Sequence, residues 1–154
     1  MSITPRRYLL AVAAVVDVAL SARERPVSAK TLATRHGLPP RHLEPILQAL
    51  VHYRILRGLR GPHGGYTLAR ERHRIGIDEI VHVAATVDVR DEAAISSALI
   101  ADVVSPAIAE AERAFSGALS RINVDDLARS AEASVLSAHT SVHETERDET
   151  NPER

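Results

Sequence analysis

Apolar residues recur at helical spacing along most of the chain, interrupted near the middle by two strand-forming runs separated by glycine and proline. This pattern predicts a mainly α-helical protein with one small β-hairpin. The first helix is expected over Pro5–Ala22, and its nearly all-round apolar surface indicates burial on several sides. A second, short helix is expected to begin at its N-cap Ser28 and to continue to about Arg35. Gly37 and the prolines after it then end this helix.

A third helix is expected over Arg41–Tyr53, where one apolar stripe falls at positions i, i+3, i+4 and i+7. Its opposite face is polar and consists of Arg41, His42, Glu44, Gln48 and His52. A short helix, a tight turn and an amphipathic helix are the pattern of a helix-turn-helix unit, although a merely solvated face is the simpler reading of most amphipathic helices. Pro45 removes one backbone donor inside this helix, which is compatible with a bend near its start.

The hairpin is predicted from Ile55–Arg60 and Tyr66–Arg70, which flank a loop of glycine, proline and histidine. Basic residues lie on the tip and on both arms. Because the hairpin follows the two helices directly, we expect it to be the wing of a winged helix-turn-helix domain. An ordinary surface hairpin is the alternative. A nucleotide-phosphate loop is disfavoured, because the loop joins strand to strand and lacks the sequence Gly-Lys-Ser/Thr.

The C-terminal half predicts further helices. Asp78 is expected to cap a short helix over Asp78–Thr86, residues 87–104 are ambiguous, and Ser105-Pro106 reads as the start of a long helix to about Arg121. An apolar stripe on the long helix indicates a dimer interface with the same helix of a second subunit, with packing inside one chain as the alternative. The predicted interface residues are Ile108, Ala111, Phe115, Leu119 and Ile122.

The chain should therefore divide into three parts. Residues 1–86 are expected to form the winged helix-turn-helix domain, and residues 87–133 the linker and dimerisation helices, including one short helix over Asn123–Ala133. The polar residues 134–154 are expected to be a disordered tail.

Charge is distributed unevenly along the chain. Residues 1–74 carry 13 Arg and Lys against 4 Asp and Glu, a net charge of +9, whereas residues 75–154 carry 6 against 16, a net charge of −10. A basic half indicates a polyanionic partner such as double-stranded DNA, and an acidic half would be repelled by it. The total charge of −1 conceals this difference.

Composition narrows the choice of protein class. Aromatic residues make up only 3% of the chain, so the core must consist of smaller apolar residues, which favours close-packed helices. The absence of cysteine excludes disulfides, thiol switches and cysteine-ligated clusters, and it fits a cytoplasmic protein. The basic start and apolar run over residues 6–20 imitate a secretory signal. However, Asp17 interrupts that run, which is too short to span a bilayer, so no membrane association is predicted.

Three segments carry a resemblance to a known family: Pro26-Val27-Ser28, the sequence His-Leu-Glu-Pro-Ile-Leu at residues 42–47, and the wing sequence from Arg60 to Arg70. Together they resemble the Rrf-two family of bacterial transcriptional regulators, over roughly residues 3–127. That family includes the iron–sulfur cluster regulator, the nitric-oxide-sensitive repressor and the cysteine-metabolism repressor.

The resemblance implies a dimer, held by the long C-terminal helix, that binds a dyad-symmetric operator. It places the base-reading glutamate at Glu44 and sets Arg60 with the glycine-rich tip against the minor groove and backbone. Two positions depart from the family pattern: His42 replaces a tyrosine and Pro45 replaces a polar residue. The cluster-binding members carry three cysteines between the fourth helix and the dimer helix, whereas this chain has none, so no cofactor is predicted.

The predicted DNA contacts come from the helix-turn-helix unit and the wing. Glutamate accepts hydrogen bonds from cytosine amino groups, glutamine pairs with adenine, and arginine binds guanine or phosphate. The residues expected to contact DNA are Ser28, Lys30, Arg41, His42, Glu44, Gln48, Arg57, Arg60, His63, Gly64, Gly65 and Tyr66.

These observations favour a cytoplasmic, sequence-specific DNA-binding transcriptional regulator, a repressor on family grounds. The alternative is a winged-helix interaction module that works through protein contacts. No catalytic constellation supports an enzyme. His139 and His143 have a helical metal-ligand spacing, but chance explains them more simply, and no metal site is predicted. The sequence leaves open whether a small effector or a partner protein near residues 87–104 regulates the protein.

Overall fold

The computed structural model describes residues 5–21, 25–87, 98 and 100–148, with side chains as far as residue 137 except that of residue 100. The mainly helical architecture with one hairpin, predicted from the sequence, is confirmed. In chain order the described elements are α1 (Arg6–Ser21), α2 (Ala29–Arg35), α3 (Pro40–His52), β1 (Leu56–Leu59), β2 (Gly65–Leu68), a 3-10 turn (Arg72–Arg74), α4 (Ile77–Thr86), a π-helical segment (Ile100–Val104), α5 (Ser105–Leu119) and α6 (Val124–Asp148).

The core is built around α1, which packs against α3, α4, β2 and α6. Its inward positions are small: Ala11, Ala14, Val15 and Val18 are fully buried. Side chains of this size let neighbouring helices approach closely, so a core with few aromatic residues still reaches high packing density. The larger buried residues come from the surrounding elements and include Leu32, Leu43, Leu47, Leu50, Ile55, Leu56 and Ile80.

The helix-turn-helix unit consists of α2 and α3. Ser28 caps α2 as predicted, since its Oγ accepts a hydrogen bond from the Thr31 N–H at 3.1 Å. Gly37 ends α2 with a φ of +64°, a left-handed conformation that favours glycine. The following helix begins at Pro40, one residue earlier than expected, because Pro40 has the fixed φ that suits a first helical position. Pro45 therefore lies well inside α3, where it leaves the Arg41 carbonyl without its usual partner.

The wing is an antiparallel pair in which Leu56 faces Leu68 and Leu59 faces Gly65. It does not stand alone, because β2 also pairs with the residue before α2. The Val27 N–H donates to the Tyr66 carbonyl at 3.0 Å, and the Tyr66 N–H donates to the Val27 carbonyl at 2.8 Å. These two bonds fix the wing directly to the entrance of the helix-turn-helix unit.

Helix α4 begins one residue earlier than predicted, and Asp78 is not its cap. Gly76 occupies the N-cap position, and the Glu79 carboxylate accepts a hydrogen bond from the Gly76 N–H at 3.3 Å. Glu79 can reach back over the first turn in this way because it is three residues beyond the cap. Asp78 lies inside the first turn, where its negative charge interacts favourably with the positive end of the helix dipole.

Helix α5 does not start with the predicted Ser105 cap. The π-helical segment runs into it without a break, and Val104 already has a helical backbone, with φ −74° and ψ −48°. Pro106 lies in the first turn of α5. The helix ends at Leu119 rather than at Arg121.

Helix α6 is longer than the short helix predicted over Asn123–Ala133. The Asp126 N–H donates to the Asn123 side-chain oxygen at 2.9 Å, and the Asn123 N–H donates to the Asp126 carboxylate at 3.0 Å. This reciprocal pair caps the N-terminus of the helix. The helix then continues to Asp148, through most of the segment that was expected to be disordered. The segment contains neither glycine nor proline before Pro152, and its alanines and glutamates have high helix propensity.

The first turns of α6 return to the winged domain. Val124 and Ala128 are fully buried in the common core, and Arg72 of the 3-10 turn forms an ion pair with Asp125 at 2.6 Å. In the part of the chain that the structure describes, no helix combines the length and apolar content needed to cross a membrane.

Candidate nucleic-acid interface

The polar face of α3 is exposed along its whole length. Leu43, Ile46, Leu47 and Leu50 are buried on the inner side, as the apolar stripe predicted. The exposed residues on the other side are Arg41, His42, Glu44, Pro45, Gln48 and His52. This face presents a carboxylate, an amide and cationic side chains along one helix, the groups that read base edges and bind phosphates in the major groove.

The two residues of α2 and its cap that are predicted to contact DNA differ in their availability: one is exposed, and the other already makes hydrogen bonds within the protein. Lys30 is exposed at the start of the helix. Ser28 is half-buried, and its hydroxyl oxygen lies 3.1 Å from the Thr31 N–H and 2.8 Å from the Thr31 hydroxyl. Ser28 therefore first stabilises α2 itself.

The predicted wing contacts likewise divide into two groups. The basic side chains of Arg57, Arg60 and His63 are exposed. The remaining residues, Gly64, Gly65 and Tyr66, are half-buried and shape the wing. A Cβ atom on Gly65 would lie 2.6 Å from the Val27 carbonyl carbon and oxygen, and Gly65 has a φ of +154°. Only glycine allows β2 to approach the helix-turn-helix unit this closely.

Arg70 holds the base of the wing, a role that the sequence did not reveal. Its guanidinium donates to the backbone carbonyls of Arg54 and Arg74, both at 3.3 Å, and to the Glu79 carboxylate at 2.7 Å. Burial opposes ionisation of Glu79, but the hydrogen bonds from Arg70 and from the Gly76 N–H outweigh it, so the pKa of Glu79 lies below its ordinary value. One arginine thus links the turn after α3, the 3-10 turn and α4.

The ion pairs show which cations are available to a ligand. Arg35, Arg70, Arg72 and Arg74 each lie beside a carboxylate: Asp17, Glu79, Asp125 and Glu71 respectively. By contrast, among the described residues no carboxylate lies within ion-pair distance of Lys30, Arg41, Arg57 or Arg60. The cations predicted to contact DNA are therefore among those for which the described part of the fold provides no carboxylate partner.

The predicted dimer residues form an apolar surface on α5 and in the turn just after it, where Ile122 lies. Ile108 is 55% exposed and Phe115 45% exposed, Ala111 and Ile122 are also exposed, and Leu119 is half-buried. Helix α1 carries a second such surface, because Leu9 and Leu20 are exposed on the side away from the core. Surfaces of this kind are unfavourable in water unless another apolar face covers them.

The short α2, the exposed polar face of α3 and the basic hairpin fixed beside them define a winged helix-turn-helix protein. The profile of the Rrf2 family, described as an iron-dependent transcriptional regulator, matches residues 5–130. The chain belongs to the Rrf2 (Rrf-two) family of transcriptional regulators. The resemblance predicted from the motifs is thereby confirmed.

Individual relatives support the same assignment. The HTH-type transcriptional regulator IscR of Xenorhabdus nematophila is 37% identical over 71 residues, which cover 46% of this chain and 43% of that protein. A putative HTH-type transcriptional regulator, ORF2 of Azotobacter vinelandii, is 37% identical over 87 residues, 56% of this chain and 52% of the relative. The chain spans about half the length of the curated relatives it matches. These relatives are named as regulators, not as enzymes.

Solved structures share the fold over most of its length. The structure of T. potens IscR matches with a TM-score of 0.67 and 26% identity, covering 86% of this chain and 90% of that one. The global cysteine regulator CymR of B. subtilis matches with a TM-score of 0.62 and 22% identity, covering 84% of this chain and 98% of its own, and it supports the fold alone.

The family description mentions iron, and the residues of this chain do not fit a thiolate-ligated iron centre. The chain contains no cysteine. Within the described ranges, no group of three or more His, Asp or Glu side chains is arranged to hold a metal ion. His139 and His143 lie in the helical part of α6 beyond residue 137, where side chains are outside the described set.

Proposed function

We propose that this protein is a sequence-specific DNA-binding transcriptional regulator that acts in the cytoplasm as a homodimer on a dyad-symmetric operator. The observation that carries the proposal is that four exposed cations of the helix-turn-helix unit and the wing, Lys30, Arg41, Arg57 and Arg60, have no carboxylate within ion-pair distance among the described residues. Such cations gain free energy by replacing condensed counterions on DNA phosphates.

The base-reading residues are proposed to lie on α3. Glu44 accepts hydrogen bonds from cytosine amino groups, and Gln48, one turn further along the same exposed face, pairs with adenine. Arg41 and His42 lie at the start of the helix, where they contact a phosphate or the first base edge. Because Pro45 also lies on this exposed face, it limits the polar contacts and narrows the set of bases that α3 reads.

The wing is proposed to bind the neighbouring backbone and minor groove. Arg60 and His63 lie at its tip, and Arg57 lies on the arm nearest to α3. The Val27–Tyr66 pairing holds β2 against the residue that precedes α2, which fixes the wing beside the helix-turn-helix unit, so both elements can engage the duplex together. Arg70 acts as a positioning residue for the base of the wing.

The homodimer is proposed to form through α5. Its exposed apolar residues, centred on Phe115, require a partner, and a second copy of α5 supplies a surface of the same chemistry. The exposed Leu9 and Leu20 on α1 extend the area that a partner's helix can cover. Two α3 helices related by a two-fold axis would then read two half-sites. By occupying a promoter, such a dimer blocks the polymerase, and repression is the direction we propose.

The test is a selection of genomic DNA fragments with the purified protein, followed by titration of the selected sequence at several salt concentrations. Four cations per subunit give eight phosphate contacts per dimer, and the slope of log K against log salt should then be roughly −7. Recovery of a palindromic sequence with a slope of this size supports the proposal. A flat salt response, or random fragments after selection, would instead favour an interaction module.

A further inference from the structure

Arg54, which follows Tyr53 at the end of α3, has a backbone conformation that arginine rarely adopts. Its φ is +58°, and among the described residues it is the one non-glycine position with a positive φ. A left-handed residue just after the C-cap is a common way to end a helix, and glycine is the usual choice because a Cβ atom is disfavoured there. The turn therefore requires this conformation but gives no reason for an arginine.

The side chain of Arg54 makes no polar contact within the fold that would offset this strain. It is exposed, and within the described ranges its guanidinium forms no hydrogen bond and no ion pair. The bonds at this residue belong to its backbone: the N–H donates to the Val51 carbonyl at 3.0 Å, and the carbonyl accepts from Arg70 Nε at 3.3 Å. Backbone strain that is kept without a gain inside the protein indicates a gain on binding.

A hollow of about 590 Å³ lies beside this residue, between the end of α3 and the base of the wing. Arg54 and Arg57 both line it, and its apolar part includes Val51, Leu56 and Ala69. Leu56 is buried, and Val51 and Ala69 are half-buried. An apolar wall of this kind displaces water, so a charge held against it interacts more strongly with its partner than in open solvent.

Arg70 also lines the hollow, but its guanidinium is already occupied. It donates to the Glu79 carboxylate at 2.7 Å and to the Arg54 carbonyl at 3.3 Å, so it holds the turn in place. Arg54 and Arg57 are the other two arginines of the lining, and no described carboxylate lies within ion-pair distance of either. Two guanidinium groups on one hollow can bind the oxygens of one phosphate together.

We propose that Arg54 is a further DNA-contacting residue, which joins Arg57 in binding a backbone phosphate of the duplex at this hollow. The inference rests on the proposed function, because the phosphate belongs to the DNA that α3 reads. A phosphate contact carries no sequence information, so it strengthens binding to every duplex. Arg54 adds a fifth cation per subunit to the four counted above, and the slope of log K against log salt should therefore be steeper by about 2 for the dimer.

The test compares substitutions of Arg54 in the full-length protein, on the selected operator and on a random duplex of equal length. Arg54→Gln should weaken binding to both duplexes by at least about tenfold and make the salt slope less steep by about 2. Arg54→Lys keeps the charge and should retain the wild-type slope. Arg121→Gln, which removes an exposed arginine in the turn after α5, is the matched control and should bind like the wild type.

Arg54→Gly separates the DNA contact from the stability of the fold. It removes the guanidinium and places glycine at a left-handed position. Because this relieves the strain of the Cβ atom, the melting temperature should rise by about 2–4 °C, while DNA affinity falls as in Arg54→Gln. A purely structural role of the arginine would instead lower the melting temperature.

Three results would each overturn the contact: wild-type affinity and slope in Arg54→Gln, equal slopes for Arg54→Lys and Arg54→Gln, or a lower melting temperature in Arg54→Gly. The random duplex keeps this inference distinct from the proposed function. If the wild type and Arg54→Gln differ on it as expected while no operator can be selected, the phosphate contact stands and the sequence-specific function fails. If an operator is selected and Arg54→Gln binds it like the wild type, the function stands and the Arg54 contact fails.

Discussion

Replacement of Gly65 by alanine tests how the wing is held. The new Cβ would lie 2.6 Å from the Val27 carbonyl carbon and oxygen, at a φ of +154° that side chains rarely adopt. The chain can relieve the clash only by separating β2 from Val27, which breaks the two bonds between Val27 and Tyr66. At about 1 kcal/mol for each bond and about 1–3 kcal/mol for the strained backbone, the expected loss of stability is roughly 3–5 kcal/mol.

Thermal unfolding followed by circular dichroism measures this loss. For a chain of this length, about 2–4 °C of melting temperature corresponds to each kcal/mol, so Gly65→Ala should melt about 10 °C below the wild type. Displacement of the wing also removes Arg57 and Arg60 from their proposed positions. Operator affinity at fixed salt should therefore fall by at least about tenfold, which corresponds to one lost charged contact.

Two other glycines of the wing provide matched controls. A Cβ atom on Gly58 meets nothing within 4 Å and its φ is not positive, so Gly58→Ala should behave like the wild type. Gly61 also has open space but a φ of +117°, so Gly61→Ala reports the backbone strain without the clash. Gly65→Ala should be the most affected of the three. Equal melting temperatures and affinities for Gly58→Ala and Gly65→Ala would refute the reasoning.

Three further perturbations address the wing base, the reading face and the dimer. Since the pKa of Glu79 is lowered in the folded state, its ion pair with Arg70 stabilises the fold above the ordinary value of 4.5 and is lost as the pH falls through the folded pKa. Glu79→Gln should therefore flatten the acid side of the stability profile measured by urea unfolding. Glu44→Ala should relax base preference in a binding assay against operator variants, whereas Arg60→Ala should weaken binding to all of them by a similar factor. Phe115→Asp should place a charge in the apolar α5 surface and convert the proposed dimer to a monomer in light scattering.

Each of these substitutions has a possible result that would contradict the prediction made for it. If the free energy of unfolding of Glu79→Gln fell with decreasing pH as it does in the wild type, the ion pair between Arg70 and Glu79 would contribute nothing measurable to stability. Identical base preferences in Glu44→Ala and the wild type would remove Glu44 from the reading face. Gly117→Asp adds the same charge as Phe115→Asp at an open position of α5. If both variants were monomeric, charge on the helix rather than loss of the apolar contact would be responsible.

The sequence correctly predicted features that depend on residues close together in the chain, such as a helix cap and an amphipathic helix. The Ser28 cap and the buried stripe of α3 follow from residue type and spacing within one turn or two, and the structure has both. The capping residues of α4 and α5 were predicted wrongly for a related reason. Asp78 and Ser105 are good caps, but Glu79 and the preceding π-helical segment determine where these helices begin. A capping residue shows that a helix can begin there, and competing neighbours decide whether it does.

The contacts that fix the candidate site relative to the fold are long-range, and single-residue patterns do not encode them. The Val27–Tyr66 pairing joins residues far apart in the chain. The residue beside it that could have indicated a close approach of two backbones is Gly65, which was instead predicted to contact DNA directly. Arg70 was counted as one more basic residue of the wing, although its partners are the Arg54 carbonyl and Glu79. The sequence thus identified the residues of the wing but not what holds it in place.

Ion pairs made by some arginines also change how the uneven charge distribution along the chain should be interpreted. The net charge of +9 over residues 1–74 counts every arginine alike, but Arg70 and Arg72 are paired with Glu79 and Asp125, both from the acidic half. At the point where the charge changes sign, arginines at the base of the wing are therefore paired with carboxylates of α4 and α6. We therefore expect the charge that faces DNA to come from the cations of the helix-turn-helix unit and the wing tip that lack such partners, and to be smaller than the sequence total indicates.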